Sequence, residues 1–113
     1  MTEVNYKFNS NPAILRQQLE AEAKKQFGNR SQVDAYFWGK IYSMIEQLAT
    51  QATLTKVEVI LMAMKMDNAF IKYLSDGGFT EEQLKSLTTG EIAFTRVGQI
   101  YTTLLHVGSK IDV

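Results

Sequence analysis

Apolar residues recur every three or four positions along most of this chain, the pattern of helices that turn one face inward. Leu15, Leu19, Ala23 and Phe27 form one such stripe, and Phe37, Ile41, Met44, Ile45 and Leu48 a second. Ala93, Val97, Ile100 and Leu104 form the last. Ahead of them the period changes, because Val4, Tyr6 and Phe8 alternate like a short strand. An isolated strand has no partner in an otherwise helical chain, so residues 1–11 are expected to be an extended arm.

Breaker and cap residues set the boundaries. One proline and seven glycines interrupt the chain, which favours long helices. Asn11-Pro12 supplies an N-cap followed by proline at the first helical position, and Gly28 stops that segment after Phe27. Thr55-Lys56-Val57-Glu58 and Thr80-Glu81-Glu82-Gln83 read as capping boxes, and Ser31-Gln32-Val33-Asp34 as a variant with Asp in the last place. Thr88-Thr89-Gly90-Glu91 can open a final helix that Gly108 closes. These signals predict a compact all-α bundle of about five helices over 12–27, 32–51, 56–75, 81–87 and 90–107, within a single domain spanning 1–113.

The helices differ in how much of their surface is apolar. The 12–27 segment has a narrow stripe among many charged and amide side chains, so it is expected to be a peripheral helix. The Met-rich 56–75 segment carries two apolar faces: Val59, Met62, Met66, Ala69 and Tyr73 on one, and Ile60, Ala63, Met64, Ile71 and Leu74 on the other. Only Glu58, Lys65, Asn68 and Lys72 make a continuous polar strip, which predicts a central helix with the others packed around it.

Charge and composition then narrow the function. Twelve basic residues balance twelve acidic ones, whereas dedicated nucleic-acid binders usually carry a basic excess. The helix-turn-helix-like segment 81–107 has a first recognition half, Gly90 to Arg96, with one acid and one base, a poor match for phosphate and base contacts. A nucleic-acid-binding regulator is therefore the alternative reading. There is no Cys and one His, which leaves no thiolate nucleophile and too few ligands for a zinc site within one chain. The adjacent Glu81 and Glu82 suit a helix start better than acid–base chemistry. No enzyme, cofactor or metal is expected. The longest apolar run, Val59 to Met64, is far short of the ~20 residues of a membrane span. The opening residues lack the features of a signal peptide, and a cytoplasmic location is expected.

What stands out is a set of residues suited to binding. Asp67 interrupts the stripe Ile60, Ala63, Met64, Ile71 and Leu74, where a buried carboxylate needs a partner such as a tyrosine hydroxyl, Arg96 or His106. The alternative is a ligand contact around Asp67. Tyr36, Trp38 and Tyr42 leave the Phe37 stripe on either flank and can seat aromatic anchors in a partner. Thr95, Gln99, Thr102 and His106 give the last helix a neutral polar face able to exchange hydrogen bonds across an interface. Ala35, Gly39 and Ser43 line one face at spacings that permit close helix approach. The sequence thus predicts a self-associating protein-interaction module, an assembly factor or inhibitor, with a protein partner and no membrane.

Overall fold

The computed structural model describes residues 4–88 and 90–112, the side chains of 87, 88, 91–93 and 112 excepted. Thr89, in the expected helix start Thr88-Thr89-Gly90-Glu91, and the side chain of the stripe member Ala93 lie outside what is described. The order is β1 (Val4–Lys7), α1 (Pro12–Phe27), a 3-10 turn (Gly28–Arg30), α2 (Ala35–Lys40), α3 (Tyr42–Thr50), β2 (Leu54–Thr55), α4 (Lys56–Asp76), α5 (Glu81–Thr88), α6 (Gly90–Val107) and β3 (Ser109–Asp112). The chain is mostly helical, with a small antiparallel sheet that the all-α expectation did not include.

That sheet corrects the unpaired arm. β1 lies between two strands, Asn5 opposite Thr55 and Tyr6 opposite Leu54 on one side, and Val4 to Lys7 opposite Asp112 to Ser109 on the other. The partners are short segments from the middle and the end of the chain, too brief to show a period of their own. Tyr6, Phe8 and Leu54 are buried by this pairing, and Lys7 Nζ donates to the Gln51 carbonyl at 2.8 Å. The C-terminal side is equally tight. Gly108 ends α6 where an added Cβ would stand 3.0 Å from the Phe8 ring.

α1 buries one narrow face and leaves most of its surface exposed. Asn11 caps it by accepting from the Ala13 and Ile14 N–H groups, and Gly28, at φ 53°, closes it with an N–H bond to the Lys24 carbonyl. Its stripe is narrow, but α1 lies against both α3 and α6, and Leu15, Leu19 and Ala23 are fully buried between them. A narrow stripe suffices when a helix occupies a seam.

The single helix expected over 32–51 breaks into α2 and α3 at Ile41, whose φ of −103° and ψ of 23° are outside helical values. Asp34 itself is the N-cap of α2, accepting from the Phe37 N–H at 3.0 Å, while Ser31 Oγ donates to the Val33 carbonyl. The boxes at Thr55–Glu58 and Thr80–Gln83 form as the spacing predicts.

α4 is the last correction. Val59, Ala63 and Met66 are fully buried, packed with α2, α6 and β1 on one side only. Val57 stays 66% exposed, Ile60 38%, Leu61 50% and Met64 48%. The helix is a wall of the core rather than its axis.

Candidate functional site

The polar residue that interrupts the α4 stripe is accounted for inside the fold. Asp67, near the middle of α4, meets Arg96 of α6 in a two-point ion pair: Arg96 Nε donates to Oδ1, and Nη2 to Oδ2 at 3.1 Å. Both side chains are nine-tenths or more buried. This fork geometry satisfies both carboxylate oxygens and fastens α4 to α6. It leaves Asp67 occupied within the chain, where the ligand alternative needed it open.

The aromatic group divides in the same way. Trp38 is 0% exposed, edge-on to Phe37 with ring centroids 5.2 Å apart. The expected anchor is therefore a core residue. Phe37 and Trp38, neighbours on α2, are both buried, so the core takes a broad arc of this short helix. Tyr42 is half-buried, beside a groove between α1 and α2 also lined by Ala13, Arg16, Gln17 and Gly39. Gly39 faces this open space, and a Cβ there would meet nothing within 4 Å. Ala35, Gly39 and Ser43 are all exposed.

Tyr36 does reach the surface, where it meets two residues the sequence did not connect with it. Its hydroxyl donates to the Tyr73 hydroxyl at 3.4 Å, and Lys40 Nζ lies 5.1 Å from the Tyr36 ring centre and 4.8 Å from that of Tyr73. The lysine, one turn along α2 from Tyr36, is held against both negative ring faces. Accepting from Tyr36 and lying beside the Lys40 ammonium lowers the Tyr73 pKa, because both favour its phenolate. Tyr36, whose proton is engaged by Tyr73, is raised. Lys40 is raised too, chiefly by its hydrogen bond to Tyr73.

The polar face of α6 is partly consumed within the chain. Gln99 is buried: its Oε1 accepts from the Gln32 N–H at 2.8 Å and its Nε2 donates to the Arg30 carbonyl at 3.1 Å, clamping the segment after α1. This corrects its reading as an interface donor. Thr103, just along the face, returns its hydroxyl to the Gln99 carbonyl. His106 is exposed, with Nδ1 2.8 Å from Gln26 Nε2 and 3.4 Å from Glu22 Oε1. Thr95 is exposed and Thr102 half-buried. Thus Thr95 and His106 are the exposed members of the four, and His106 is already engaged by Gln26 and Glu22.

One exposed apolar feature includes Ile60 and Met64, which the sequence placed on a core-facing stripe of α4. Val57, Ile60, Leu61 and Met64 form a ridge along the outer side of α4. It is flanked by a groove of about 520 Å³ lined by Val4, Tyr6, Thr55, Lys56, Val57 and Lys110, and by a smaller one containing Glu58, Leu61, Met62 and Lys65. The available signal was the excess: a helix whose inner face was already complete carried a second apolar face with no helix left to cover it. Among the described residues, no three His, Asp or Glu side chains converge on a metal position, and no helix is long and apolar enough to cross a membrane. No protein family matches the chain, and neither the curated proteins nor the solved structures compared with it include a match.

Proposed function

We propose that the protein is a non-enzymatic protein-interaction module that acts by occupying a partner surface, as an assembly factor or an inhibitor does. One observation carries this reading: Val57, Ile60, Leu61 and Met64 are exposed together on α4 although the chain has a separate, well-filled core. Scattered apolar residues on a surface need no explanation, but a contiguous strip of them is the usual mark of a binding face. The anchors are then the aliphatic side chains of α4, with Glu58 and Lys65 as a charged rim, in place of the aromatic set centred on Trp38. Burial of central apolar anchors carries most of the energy of such contacts, and the rim contributes little.

Site-directed photocrosslinking tests this. A photoreactive residue at Met64 is expected to give discrete adducts in the cell of origin, and the same residue at Gln18, on the exposed side of α1, is expected to give none. Equal or absent crosslinking at the two positions refutes the proposal.

A further inference from the structure

The outer side of α4 has a spacing more specific than general hydrophobicity. Val57, Leu61, Met64, Asn68, Ile71 and Ser75 follow one another at alternating intervals of four and three residues. That is the repeat of a coiled-coil seam, apolar except at Asn68 and Ser75, and a polar residue within such a seam commonly sets register. The seam is exposed throughout except at Ile71, which is half-buried. Beside it stand Glu58, Lys65 and Lys72 at seven-residue intervals, all exposed. Glu58 Oε1 is used by the Thr55 cap, and Lys65 makes no ion pair among the described residues.

We infer that the partner of this seam is a second copy of the chain, docked antiparallel through α4. The charges select the arrangement. When Leu61 faces the partner's Met64 and Val57 the partner's Asn68, each Glu58 lies beside the partner's Lys65, and twofold symmetry makes the pair twice. Sliding the helices by one heptad moves each Glu58 beside the partner's Lys72 but also brings Lys65 against the partner's Lys65 on the twofold axis, a repulsion the first register lacks. A parallel pair leaves Glu58 without a cation and offers the partner's Lys72 only to Asp67, which Arg96 already holds. Surface ion pairs contribute little affinity but discriminate well between registers. The apolar strip of a single helix is small for a stable dimer, so self-association is weak and concentration-dependent.

This inference rests on the interaction reading above and adds the partner and its orientation. Sedimentation velocity over a concentration series is expected to show a monomer–dimer equilibrium. Leu61→Glu, at an exposed position, is expected to weaken it roughly tenfold or more with helicity unchanged by circular dichroism. Lys65→Glu also weakens it, and Glu58→Lys combined with Lys65→Glu restores it. Glu58→Lys also removes a cap, so an independent distance is needed. The chain has no cysteine, and a nitroxide on Lys72→Cys reports orientation directly. At 1.5 Å per residue and a helix separation near 10 Å, the antiparallel register puts the two labels about 30 Å apart. A parallel pair puts them within roughly 15 Å.

A dimer sensitive to Leu61→Glu with labels near the longer distance supports the inference. A dimer indifferent to Leu61→Glu, or labels at the shorter distance, overturns it. A chain that stays monomeric throughout also overturns it. If that monomer still crosslinks from Met64 to a different protein, the interaction reading survives without self-docking, and if it gives no adduct both fall.

Discussion

Removing the Asp67 carboxylate tests how far α4 and α6 depend on one buried ion pair. Asp67→Ala leaves the Arg96 guanidinium, 3% exposed, without the two-point acceptor it has in the fold. Deleting one member of a buried pair costs about 3–5 kcal/mol, because the remaining charge keeps its desolvation penalty and loses its attraction. A small domain is stable by only about 5–15 kcal/mol, so the variant is expected to be marginal but largely folded at low temperature. With a urea dependence of roughly 2 kcal/mol per M, the midpoint falls by about 2 M. Urea titrations followed by circular dichroism measure this. Replacing both members with apolar residues of similar length, Asp67→Leu with Arg96→Met, is expected to recover most of the loss, since no charge is left buried. If Asp67→Ala shifts the midpoint by less than the equivalent of about 1 kcal/mol, water reaches Arg96 and the pair is not the fastener described here.

Three further outcomes follow from particular contacts. Leu19→Ala, in the seam that α1 occupies, is expected to cost about 2–5 kcal/mol in the same titration; a loss near zero would show that Leu19 is not packed between α3 and α6. Gly39→Ala and Gly108→Ala are expected to differ in sign. The first adds a methyl to open space on a helix and stabilises by roughly 0.5–1 kcal/mol, while the second drives a Cβ into the Phe8 ring and destabilises by about 1–3 kcal/mol. Thermal melts of the two variants compare them directly. In a spectrophotometric pH titration, Tyr73 is expected to ionise below the ordinary tyrosine value and Tyr36 above it. Lys40→Met removes the neighbouring ammonium and moves the Tyr73 midpoint upward; an unchanged midpoint would show that Lys40 does not sit over the rings.

The local chemistry of the chain determined most of its helices. Asn11-Pro12, Thr55 with Glu58, Thr80 with Gln83, and Gly108 act within one turn of themselves, so their effect is visible in sequence. The need of Asp67 for a partner was legible for the same reason, and Arg96 was among the three candidates, because the cost of a buried carboxylate does not depend on the fold. What only the tertiary structure decided were questions of which surface meets which. β1 became the middle of a sheet because two segments distant in sequence came to its edges. The narrow stripe of α1 met both α3 and α6, a pairing its own spacing could not name. Gln99 turned inward because Arg30 and Gln32 came within reach of its amide, Trp38 because the core closed over α2, and part of α4 stayed outside because no other described element covers it. A periodic pattern states that a face wants burial, and only the packing of all the elements determines whether the chain itself supplies the cover.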